Sequence, residues 1–136
     1  MSELKKVLVN KNSCKSIWFM RQAGRYLPEF RKIRSANPNF INLCLNSELS
    51  SEITLQPIKR YNLDSAIIFS DILMVPFALG QKVEFIKNQG PKLGKFDMKY
   101  LSKNNRREFS VKLNPVYKAI EITRKKLDKK KSLISF

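Results

Sequence analysis

Three short apolar runs separated by helical stretches predict an α/β fold, a parallel sheet with helices outside it. The runs are Ser16–Met20, Ser65–Phe69 and Ser132–Phe136. Each is apolar almost throughout rather than alternating, which is the pattern of a strand buried on both faces. Their order with the helices between them is that of successive βαβ units. A length of 136 residues with 43% hydrophobic content is enough to bury one core but not two.

The elements follow from local signals. Residues 1–15 are polar and charged and predict a mobile or loosely helical arm. Ser16–Met20 is too short for a helix and rich in strand formers, and Trp18 and Phe19 within it read as core. The run ends in Arg21-Gln22-Ala23-Gly24-Arg25, where Gly24 and then Pro28 break the periodicity. Glu29 to Ala36 predicts a short helix closed by Asn37-Pro38. Asn46-Ser47 is an N-cap signal for a helix from Glu48 to about Tyr61, with Ile53, Leu55 and Ile58 as its apolar contacts and a kink at Pro57. Asn62-Leu63-Asp64 is the turn into the second strand, Ser65–Phe69, which is bounded by Ser70-Asp71.

Ile72 to Leu79 predicts a helical turn or loop, and Val83–Ile86 a minor strand or hairpin arm. Asn88 to Pro91 reads as a turn, and residues 92–110 as irregular. Asn114-Pro115 opens a helix with Val116, Ala119, Ile120, Thr123 and Leu127 on one face. A Lys-rich stretch leads to the third strand. Two or three strands do not close a sheet, and a chain ending on an apolar strand leaves an open edge. The expectation is therefore the first part of something larger.

Lys+Arg 27 against Asp+Glu 11 gives +16, with no histidine. Such a charge fits nucleic acid, an anionic surface or a polyanionic small molecule. Most lysines cluster as solvent-facing groups, however, and no helix-turn-helix, finger or base-stacking pattern is present, so nucleic acid is not the expected partner. No run approaches the ~20 apolar residues of a membrane span, and the N-terminus lacks a secretory apolar segment. Cys14 and Cys44 provide neither a disulfide framework nor, without histidine, a metal site, and no basic partner marks either as a nucleophile. A reduced, cytoplasmic chain is expected.

Arginine carries more information than lysine, because its planar fork pairs with carboxylate or phosphate. Arg21, Arg25, Arg31 and Arg34 lie in one short stretch. Chemistry in α/β folds sits beyond the carboxyl ends of strands, and Arg21–Arg25 falls there. Arg21 and Arg25 are four apart, and a helical turn would put both on one side, with Ala23 and Gly24 leaving the backbone N–H groups open to an anion. The alternative is that these arginines pair with Glu29, Asp64 or Asp71 and brace the fold. After the second strand, Asp71 is either a helix cap or a carboxylate facing the same mouth, able to accept N–H groups or stabilise a cation.

WFMRQAGRYLPEFRKIR (residues 18–34), TLQPIKRYNLDSAIIFSDIL (residues 54–73) and Gly90-Pro91-Lys92 resemble the N-terminal part of the uroporphyrinogen decarboxylase family. The resemblance implies the first two to three βα units of a (β/α)8 TIM barrel, incomplete here, with residues 16–136 as its N-terminal part. It implies a cofactor-free, cytoplasmic carboxy-lyase, homodimeric in the full-length family. That enzyme removes CO2 from four acetate side chains of uroporphyrinogen to give coproporphyrinogen. It also implies that Arg21, Gln22, Ala23, Gly24, Arg25 and Arg34 hold substrate carboxylates, and that Asp71 accepts the pyrrole N–H groups.

Phe77 and Ser135 depart from the family, which more often has a polar residue and a glycine there. A barrel of this kind takes roughly 250 residues. The later strands, with the tyrosine, serine and histidine they bring, would come from elsewhere, such as a complementing C-terminal polypeptide. Alone, the chain is expected neither to fold cooperatively nor to decarboxylate. Other readings are a non-catalytic remnant and a basic anion-binding module.

Overall fold

The computed structural model describes residues 1–10, 15–86, 89–98, 101 and 106–135. Helix α1 spans Glu3–Asn10, α2 Pro28–Ala36, α3 Phe40–Cys44 and α4 Ser47–Tyr61. Strand β1 (Ser65–Ile67), helix α5 (Met74–Ala78), the hairpin of β2 (Val83–Ile86) and β3 (Gly90–Leu93), helix α6 (Arg106–Lys126) and strand β4 (Ser132–Ile134) complete the chain. Pro28 occupies the first turn of α2, where its missing N–H costs nothing. Asn46 caps α4 by accepting the Leu49 N–H at 3.1 Å. Helix α4 runs unbroken through Pro57 and stops at Asn62, whose positive φ of 49° ends the helical ladder.

Strands β1 and β4 pair in parallel, with Ala66 opposite Leu133. A parallel pair needs a long crossover; it runs through α5, the hairpin and α6, and α6 packs along α4. Leu55, Ile58, Leu63, Ala66 and Leu127 fill the space between α4, β1 and the end of α6. A second cluster joins Leu27, Phe30, Leu43 and Ile53. A third joins Cys44, Met74, Ala78 and Leu113. Phe69 packs against the last two clusters and meets Phe30 and Phe40 edge-on.

Several expectations change. Residues 16–20 form no strand. Their contact with the sheet region is a pair of bonds between Ile17 and Asp64: the Asp64 N–H donates to the Ile17 carbonyl at 3.0 Å, and the Ile17 N–H donates to Asp64 Oδ2 at 2.7 Å. The β1 edge that a neighbouring strand would use is already occupied, since Gln22 takes the Ser65 carbonyl and the Ile67 N–H. Trp18 and Phe19 are accordingly exposed, not core. The parallel sheet thus has two strands among the described residues rather than three.

Residues 1–15 include a helix, α1, and the hydroxyl of Ser2 just before it meets that of Ser132 at 2.6 Å. Helix α6 begins at Arg106, so Pro115 lies inside it and not at its start. Phe109 and Leu113 in its added turns pack on the third cluster. Gly90 and Pro91 belong to β3, with Gly90 at a φ of +86° that suits glycine; Asn88, like Cys14, lies outside the described residues.

The fold links α4 to the end of β1 through Thr54. Its buried hydroxyl donates to the Ser50 carbonyl at 2.7 Å and accepts the Phe69 N–H at 2.8 Å. Thr54→Val keeps the shape and orphans that N–H, a loss of about 1–3 kcal/mol. Native-state amide exchange should show the Phe69 N–H opening faster in the variant, and an unchanged rate would refute the link.

Candidate functional site

The basic stretch does not form a helical turn. Residues 21–27 make bends and a tight turn closed by the Leu27 N–H donating to the Gly24 carbonyl at 3.0 Å. Arg25 then faces a cleft of about 1330 Å³ between α2, α3 and the β2–β3 hairpin. Arg31 and Arg34, three apart on α2, line the same cleft, with Ser35, Asn39, Phe40, Glu84 and Phe85. Arg21 is exposed and lies outside the lining, as does Asp71.

How these arginines are held determines their chemistry. Arg31 Nη1 donates to the carbonyls of Arg25 at 2.8 Å and Tyr26 at 3.4 Å. Arg34 donates to the Asn37 carbonyl and lies 5.7 Å from the centre of the Phe40 ring. Phe40 in turn packs on Phe85 at 4.7 Å, which joins the hairpin to the wall of the cleft. Carbonyls fix a guanidinium without neutralising it, so the cleft keeps its positive charge.

The bracing alternative for Arg21 and Arg25 is not what the structure has. Glu29 is taken by Arg60, whose Nε and Nη2 donate to its two carboxylate oxygens at 3.0 and 2.9 Å. That pairing holds the exposed Glu29 carboxyl below its ordinary range. Asp64 accepts from Ile17, and neither Arg21 nor Arg25 has an ion pair among the described residues.

Gln22 is buried, and its side-chain amide is spent on β1. Ala23 packs against the cluster of Leu27 and Phe30. A Cβ on Gly24 would meet only the Tyr26 ring at 3.5 Å, an ordinary contact. Asp71 is half-buried, and its Oδ1 accepts the Leu73 N–H at 2.8 Å in a local turn ahead of α5, whose own N-cap, Leu73, has no side-chain cap. Its charge and that of Arg34 both reach Cys44. Among the described residues no group of three or more Cys, Asp and Glu is placed to hold a metal ion.

The sequence matches the family pattern Uroporphyrinogen decarboxylase (URO-D) over residues 10–136. The chain belongs to the uroporphyrinogen decarboxylase family. It is 47% identical over 140 aligned positions to the uroporphyrinogen decarboxylase of Rickettsia africae (strain ESF-5), covering 100% of this chain and 39% of that protein. The proteins of the same name from Rickettsia canadensis (strain McKiel) and Orientia tsutsugamushi (strain Ikeda) are 50% and 49% identical over 124 positions, 88% of this chain and 35% of each relative. The chain thus spans about two fifths of the length of the relatives it matches.

Against this uroporphyrinogen decarboxylase background, two of the residues named from sequence, Arg25 and Arg34, share the cleft. Arg31, which the sequence placed in the same basic stretch without giving it a substrate role, joins them. Its signal was the three-residue spacing to Arg34 on one helical face.

Burial raises the Cys44 thiol from 9.0 to about 12, with Asp71 adding to the shift and Arg34 opposing it. The folded chain therefore keeps this thiol neutral where an unfolded one ionises, and loses stability as pH climbs from 9.0 to about 12. In a Cys14→Ser background, a disulfide reagent at pH 8 should label Cys44 only after denaturant is added. Labelling of the folded chain at the rate of a free peptide would refute its burial.

Proposed function

We propose that this chain supplies the carboxylate-holding part of a uroporphyrinogen decarboxylase. The observation that carries this is one cleft lined by three arginines, Arg25, Arg31 and Arg34, from the segment that bears the family motif. The substrate presents eight carboxylates, and fixed cations in a partly desolvated cleft are the groups that hold them. Arg21 and Arg25, the backbone of Ala23 and Gly24 between them, and Arg34 take substrate carboxylates. Asp71, with lone pairs left after its one N–H contact, takes the pyrrole N–H groups. Protonation of the pyrrole places positive charge on the ring, and a nearby carboxylate lowers the barrier to losing CO2.

The chain acts in the cytoplasm and needs the remaining barrel strands for turnover. Those strands belong to the part of the relatives' length that this chain does not span, within a homodimeric enzyme.

Two measurements test this reading. Uroporphyrin, a fluorescent octacarboxylate, should bind the 136-residue chain, and Arg25→Ala should weaken binding by roughly 10–100-fold, the loss of one hydrogen bond to a charged group. Absence of binding to the unmodified chain defeats the reading. Incubated with uroporphyrinogen, the chain alone should release no coproporphyrinogen. Turnover that disappears in Asp71→Asn would show instead that these residues suffice.

A further inference from the structure

We propose that Gln22 is a positioning residue: its side-chain amide stands in for a neighbouring strand on the open edge of β1. It thereby fixes the arginine loop against the strand that leads to Asp71. The amide Nε2 donates to the Ser65 carbonyl at 2.8 Å, and Oε1 accepts the Ile67 N–H at 3.1 Å. Those two backbone groups lie two residues apart on the edge of β1 opposite β4, where a parallel partner strand would bond. A primary amide carries the same donor and acceptor as a peptide group, so one side chain satisfies both.

Gln22 is only 4% exposed, which leaves its amide no open side on which to meet a ligand. The rest of the loop is tied around it. The Tyr26 hydroxyl donates to the Gln22 carbonyl, and Arg31 holds the carbonyls of Arg25 and Tyr26. Arg25 therefore hangs from a loop pinned at Gln22 on one side and at Arg31 on the other. A loop held this way presents its cations without first having to order, and small displacements of such groups can cost about 100-fold in effect. The inference deepens the proposed function, because it rests on that reading for what the arginines bind.

The test compares the 136-residue chain with Gln22→Met, which keeps the side-chain length and removes both hydrogen-bonding groups, and Gln22→Glu, which keeps the acceptor for Ile67. Amide exchange by NMR reads Ile67 against Ile68, whose N–H donates to the Ile134 carbonyl at 2.9 Å on the other edge. In Gln22→Met the Ile67 amide should exchange about tenfold faster or more, with Ile68 unchanged. Equal Ile67 exchange in the two proteins overturns the proposal. Should Gln22→Met open both amides together, Gln22→Glu decides: slow exchange at Ile67 supports the proposal, and fast exchange beside a slow Ile68 overturns it.

Uroporphyrin is then added to the unmodified chain. Ile67 should exchange as slowly as before or more slowly, and its affinity should exceed that of Gln22→Met about tenfold or more. Faster exchange at Ile67 on binding would mean that the amide leaves β1 for the ligand, and would overturn the proposal, as would equal affinities. If the unmodified chain binds no uroporphyrin, the functional reading fails, while the unliganded Ile67 comparison still decides the role of Gln22.

Discussion

A buried strand must satisfy every backbone N–H and carbonyl it carries, and among the described residues β1 has a partner strand on one edge alone. The rest of this structure depends on how that debt is met. On the open edge Gln22 supplies an amide. Just beyond the strand, α4 contributes Ser50, whose hydroxyl donates to the Phe69 carbonyl, and Thr54, which accepts the Phe69 N–H. Small hydroxyl residues on the buried face of α4 are therefore no lapse in an apolar pattern. They fix the direction in which the chain leaves β1, and so where Asp71 stands. The same constraint carries the arginine loop, because the side chain that closes the edge of β1 belongs to that loop.

Much of the fold was legible because its signals are local. The cap at Asn46, the left-handed stop at Asn62 and the apolar spacing of α4 each act within a few residues. Strands are less legible, since a strand exists only where a partner takes its edge. Ile17 to Met20 has the composition of a strand, but Gln22 holds the edge it would need. Nothing near Gln22 in sequence announces a bond to Ile67, 45 residues away. The start of α6 was hidden differently: Arg106 to Lys112 is mostly polar, and Pro115 resembles a first-turn proline. Phe109 and Leu113 nevertheless reach the third cluster, and that packing carries the helix back past the proline.

The charge divides in the same physical way. Lys6, Lys82 and Lys126 sit in ion pairs with Glu3, Glu84 and Glu48 at the solvent-facing surface, and such pairs are worth little. Arg60 is neutralised by Glu29. Arg31 and Arg34 are instead held by carbonyl oxygens, which orient a guanidinium and leave its charge in place. The spacing of the arginines was readable from the sequence. The kind of acceptor that each one meets depends on loop geometry that spacing does not encode.

Asp71 illustrates why a structural and a functional reading of one residue need not compete. Its Oδ1 accepts the Leu73 N–H in a local turn just ahead of α5. A carboxylate has about four lone-pair sites, and one N–H leaves most of them open. The bond holds the side chain in one orientation, so a second donor would meet an acceptor already in place and would not have to order it. The turn bond thus prepares the carboxylate for the role that its place after β1 suggests.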